Sequence, residues 1–93
     1  MKLEAVHKSG KLVRVELEVE QGTIKSVKFT GDFFAYPEEA MEKLEERLRG
    51  SKVDPKLIEK VILEFFEKER IEIPMMSPED FSYVVLKALG FVS

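Results

Sequence analysis

Residues 11–30 read KLVRVELEVEQGTIKSVKFT, and the period of that stretch decides the fold. In an extended chain successive side chains point to opposite faces. Val13, Val15, Leu17 and Val19 therefore share one face, and Arg14, Glu16, Glu18 and Glu20 share the other. That alternation belongs to a strand with one face on a core and one in water. Gln21-Gly22 supplies a turn, and Thr23–Thr30 reads as the returning strand, with Lys25 and Lys28 offered to the outward glutamates. One irregularity stands out. Ile24 has the opposite parity to Val27 and Phe29, so a bulge or a longer turn must absorb one residue. Residues 2–7 form a weaker strand, joined through Lys8-Ser9-Gly10. Residues 1–30 are thus predicted to make a three-stranded antiparallel meander, with its second strand longest and central.

Downstream the period changes to that of helices. Pro37 fits a first helical position, Glu38 and Glu39 suit the positive end of the helix dipole, and Gly50 follows as a stop, giving a helix over 37–49. Ala40, Met41, Leu44 and Leu48 form its apolar stripe, and Glu39/Lys43 and Glu45/Arg49 are spaced as ion pairs. A second helix, 55–69, opens at Asp54-Pro55 and turns Leu57, Ile58, Val61, Ile62 and Phe65 inward; Leu63 and Phe66 widen its apolar surface, so neighbours on two sides are expected. The third, 78–89, follows a short extended piece at Ile71–Pro74 and a capping box, Ser77-Pro78-Glu79-Asp80. It presents Phe81, Val84, Val85, Ala88 and Leu89 and stops at Gly90. The expected fold is a single α+β domain over 1–93, a three-stranded antiparallel sheet with helices packed on one face.

Composition narrows the function. The chain is 93 residues long, 44% hydrophobic and 35% charged, with a net charge of −3 and its acids and bases interspersed, so it carries no electrostatic footprint for nucleic acid. No apolar run has the length of a membrane span, and MKLEAVHKSG lacks the apolar centre of a signal peptide, which makes the cytoplasm the expected compartment. Cysteine is absent, which removes disulfides, thiolate metal sites and thiol nucleophiles. Asn is also absent while Glu and Lys abound, the bias of proteins from hot-growing organisms.

Chemistry is scarce. Gly10 and Gly22 belong to turns and Gly50 and Gly90 to helix stops, so no clustered glycines cradle a phosphate. His7, the single histidine, reads as a strand-end surface residue, since a metal or catalytic role needs further ligands or an orienting partner. The serines offer no nucleophile paired with a base, and Ser77 already has a capping role. Met75-Met76 reads as core filling in preference to a pliable contact surface.

One connection is unusual. FTGDFFAYPEE, residues 29–39, puts Phe29, Phe33, Phe34 and Tyr36 within one junction. Adjacent side chains in an extended segment point opposite ways, so Phe33 and Phe34 are expected to divide, one plugging the gap between sheet and first helix and the other exposed. Gly31 suggests a turn with positive φ, and Asp32 an Asx-turn to the amides that follow. Either Asp32 ties the loop and both rings serve the core, or the exposed ring and Tyr36 anchor a partner.

The order VRVELEVEQGTIKSVKFTGDFF, then PEEAMEKLEERLRG, then a second helix, resembles the C-terminal accessory domain of lipoate-protein ligases, and more particularly the separate accessory subunit of archaeal two-chain ligases. Its most specific piece is Thr30-Gly31-Asp32-Phe33-Phe34, followed by a helix ending Leu48-Arg49-Gly50, and the likeness runs over residues 1 to 70. The resemblance implies a fold similar to the iron–sulfur scaffold and sulfur-acceptor proteins. Without cysteine, sulfur transfer and cluster assembly are excluded. It implies a non-catalytic subunit, with no catalytic or metal-binding residue of its own, that forms a heterodimer with a catalytic ligase chain. ATP, Mg and lipoate would be used by the complex to make lipoyl-AMP, and lipoyl-domain proteins would be the acceptors. The loop Thr30, Gly31, Asp32, Phe33, Phe34 and Tyr36 would complete that partner's active site. The alternative is a free-standing interaction module that binds another protein through the same loop.

Overall fold

The computed structural model describes residues Met1–Ser93. Strands β1 (Lys2–Ser9), β2 (Lys11–Glu20) and β3 (Thr23–Gly31) form one antiparallel sheet in the order β1-β2-β3. The alternation in β2 is realised: Val13, Val15 and Leu17 are buried, while Arg14 and Glu16 face water. Gln21 and Gly22 both take positive φ, 50° and 72°, the pair that a two-residue type I′ turn requires. The parity conflict is resolved by a bulge. Glu18 pairs with Ser26 and Val19 with Ile24, so Lys25 is the extra residue and Ile24 returns to the core face. Lys28 lies opposite Glu16 in register, but the ion pairs on this outer face belong to Arg14, which reaches Glu4 and, at 3.9 Å, Glu16.

Helices α1 (Ala40–Leu48), α2 (Pro55–Lys68) and α3 (Pro78–Ala88) cover the other face. α1 lies against β3, α3 against β1 and β2, and α2 packs on α3 with a lighter contact to α1. Three expectations need correction. Pro37 does not open α1: residues 37–39 form a turn, the Ala40 N–H donates to the Pro37 carbonyl at 3.0 Å, and the helix begins at Ala40 after a cis Tyr36–Pro37 bond. In α2 the buried row is Ile58, Ile62 and Phe66, while Leu57 is 40% exposed and Val61 and Phe65 are half-buried. In α3 burial goes nearly all round, with Ser82 and Leu86 joining the expected residues, because sheet and α2 close on it from two sides.

Both free sheet edges are occupied in part. On β3 the Ile24 N–H donates to the Ser51 carbonyl, Gly50 donates back to Ile24, and the Phe29 N–H donates to Glu45 Oε2 at 2.8 Å. Glu45 therefore serves the strand and not the ion pair with Arg49 that its spacing suggested. At β1, Lys87 Nζ donates to the Val6 carbonyl.

A tied aromatic loop as the candidate functional site

The junction after β3 is held by three ties. Asp32 accepts the Leu12 N–H on Oδ1 at 2.7 Å, and its own N–H donates to the Leu12 carbonyl at 3.3 Å. So Asp32 closes across to the start of β2, not onto the amides that follow it. Gly31 is needed for closeness more than for turning. Its φ of 159° is nearly extended, and a Cβ there would sit 2.1 Å from the Leu12 carbonyl oxygen. The third tie is a pair of reciprocal backbone bonds, Tyr36 with Glu72, each 2.9 Å.

Between these ties the chain is extended and its side chains alternate. Phe33 and Ala35 pack against the core; Phe34 is 73% exposed and Tyr36 55%. The Phe33 ring stands edge-on to Phe81 at 5.3 Å and 90°, an arrangement that suits the ring quadrupoles. It thus plugs the sheet against α3, where the first helix was expected. Thr30 stands apart, still in β3 opposite Arg14 and exposed. The structure therefore brings Gly31, Asp32 and Phe33 together as the loop's foundation, and Phe34 and Tyr36 as its exposed face.

Two features were missed by sequence reasoning. His7 is not a lone surface residue: Nε2 lies 2.9 Å from Asp80 Oδ1 and the ring packs on Tyr83 at 4.8 Å. Its parity was the available signal, since His7 alternates with Leu3 and Ala5 on the core face. The other oxygen of Asp80 accepts the Ser77 N–H at 2.8 Å, within the expected capping box. Burial pushes the Asp80 carboxyl up, but the bonds from Ser77 and His7 outweigh it and hold the group below the usual carboxylate range. The cluster is a clasp between β1 and α3. Secondly, Met75 is 67% exposed, where core filling was expected; Met76 alone packs inward.

No group of three or more His, Asp or Glu side chains converges to hold a metal ion, and no helix is long and apolar enough to cross a membrane. A broad concavity lies away from the aromatic loop, among charged side chains of the sheet that include Lys2, Glu4, Glu16, Glu18 and Lys28. It lacks the apolar enclosure of a small-molecule site. The aromatic end presents two exposed rings, Phe34 and Tyr36, on a base tied by Asp32 and the Tyr36–Glu72 bridge.

The chain is 39% identical over 70 residues to lipoate-protein ligase A subunit 2 of Thermoplasma acidophilum, covering 75% of this chain and 71% of that protein. Its fold matches a chain in the solved structure of an archaeal lipoylation system, a bi-partite lipoate protein ligase and its E2 lipoyl domain from the same organism. That match has a TM-score of 0.82 at 32% identity and covers 91% of this chain and 94% of the other. Residues 2–84, which reach well into α3 and beyond the likeness expected from sequence, match the family described as bacterial lipoate protein ligase C-terminus, and the chain belongs to that family.

Proposed function

We propose that this chain is the accessory subunit of a two-chain lipoate-protein ligase, and that its partner's ATP-dependent activation of lipoate to lipoyl-AMP depends on it. The observation that carries the reading is the near end-to-end match to a chain of a bi-partite ligase structure. In the activation step the lipoate carboxylate attacks the α-phosphorus of ATP and pyrophosphate leaves. The groups that bind ATP, Mg and lipoate are assigned to the catalytic chain, and the scattered glycines of this one support that assignment. Its contribution is to favour the competent conformation of that partner, a population shift driven by differential binding. Phe34 and Tyr36, exposed on a loop fixed by Gly31, Asp32 and Phe33, supply the contact. Lipoyl-domain proteins are the acceptors in the second step, and the work takes place in the cytoplasm.

The test is lipoylation of an acceptor domain by each chain alone with ATP and lipoate, by both together, and by the catalytic chain alone with preformed lipoyl-AMP. Only the mixture should activate lipoate, and the catalytic chain should need no help once lipoyl-AMP is supplied. Equal activation by the catalytic chain alone would sink the reading and favour the free-standing interaction module.

A further inference from the structure

Resting on the accessory-subunit reading, we propose that the catalytic chain is gripped by a surface of two segments, with Met75 as a third anchor beside Phe34 and Tyr36. The partner surface it fits is an apolar socket rimmed by Lys and Arg.

The reasoning starts at a turn. In Ile73-Pro74-Met75-Met76 the Met76 N–H donates to the Ile73 carbonyl at 3.1 Å, and Met75 has φ 69°. Proline second and positive φ third define a type II turn, whose third position ordinarily holds glycine because a side chain there is strained. This chain places a long apolar side chain at that position and leaves it exposed, while Ile73 and Met76 on either side turn inward. The core gains nothing from Met75. The turn is also seated tightly, since a Cβ on Gly10 would lie 2.3 Å from the Met75 carbonyl oxygen. Strain of this kind persists where the surroundings enforce it, and it gathers at sites of contact with ligands.

The turn and the aromatic loop form one surface. Tyr36 and Glu72 exchange both backbone hydrogen bonds, so the strained turn begins one residue beyond the bridge that anchors Tyr36. Charge separates this end from the rest. Neither residues 29–42 nor residues 71–86 contain a Lys or Arg, although the chain has 15. The exposed carboxylates there are Asp32, Glu38, Glu39, Glu42, Glu72 and Glu79; Lys8 and Lys11 border them from the β1–β2 turn. An apolar centre whose own two segments carry only acidic charge calls for an apolar socket with a basic rim, and like charges across it would be repelled. Both segments lie inside the residues that match the ligase family, so the surface belongs to the shared domain.

The test measures Kd between this chain and its catalytic chain for wild type, Met75→Ala, Met75→Gly, Phe34→Ala and the double variant Glu38→Lys/Glu72→Lys, with Tm for each. Met75→Ala, Met75→Gly and Phe34→Ala should each weaken binding about tenfold or more. Met75→Gly relieves the strained φ, so its Tm should equal or exceed wild type, which separates lost contact from lost folding. Affinity should fall as salt rises, and the lysine double variant should bind more weakly still. Wild-type affinity in both Met75 variants would overturn the third anchor. Indifference to salt and to charge reversal would overturn the basic-rimmed socket. Failure of the wild-type chain to bind at all would instead overturn the accessory-subunit reading and this inference with it.

Discussion

At Asp80 a single carboxylate joins two elements of the molecule, β1 and α3. It caps the start of α3 through Ser77, holds His7 of β1, and is nearly buried while doing so. Its carboxyl titrates lower in the folded chain than in the unfolded one, so folding favours the anion. That stabilisation is complete well above the ordinary Asp value of about 3.9 and is lost as pH falls through the folded value. Asp80→Asn keeps the shape and removes the charge. It should cost about 1–2 kcal/mol at pH 7, the margin of a charged over a neutral hydrogen bond. The gap in urea midpoint between wild type and variant should shrink as pH falls below about 4. A gap that is constant to pH 3 would mean the charge contributes nothing. Sequence shows each partner but not the meeting, since His7 and Asp80 lie 73 positions apart.

Among the elements, the pairing of α1 with β3 is the least foreseeable. Glu45 sits at i,i+4 from Arg49, yet it accepts the Phe29 N–H and so covers part of an open strand edge. Glu45→Ala should cost about 1–2 kcal/mol and Glu45→Gln much less, because glutamine keeps the acceptor. A helix-surface ion pair would be hurt alike by both changes and would fade in salt. What was legible is local. The bulge at Lys25 followed from the parity of Ile24 against Val27, and the division of Phe33 from Phe34 followed from alternation. What was not legible depends on neighbours. In α2 both 57/61/65 and 58/62/66 are apolar rows, and the approach of α3 selects the second. Pro37 looked like a helix start because nothing local reveals that Tyr36 is tied to Glu72. Met75 looked like core because a type II turn with methionine in glycine's place runs against propensity.

Across the whole molecule, long dimension 34 Å, the two ends of the sheet differ in kind. One end carries Met1 and the polar Gln21–Gly22 turn; the other carries the β1–β2 turn, the aromatic loop and the Met75 turn. The core is one contiguous cluster running from Val13 to Ala88 through the sheet and all three helices, so the loop's foundation is part of the cooperative unit. A surface built on such a base changes shape little when it binds, and less ordering has to be offset by contact. This polarity predicts a hydrogen-exchange footprint. On addition of the catalytic chain, amides at 9–12, 31–36 and 71–76 should slow, and those at 19–24 and 50–53 should slow only by the uniform factor that ligand binding confers on global unfolding. The comparison is made within one sample, so it does not depend on the absolute affinity. Protection centred on the Gln21–Gly22 end would place the catalytic chain at the opposite pole and leave the exposed aromatics and the strained methionine without a role in assembly.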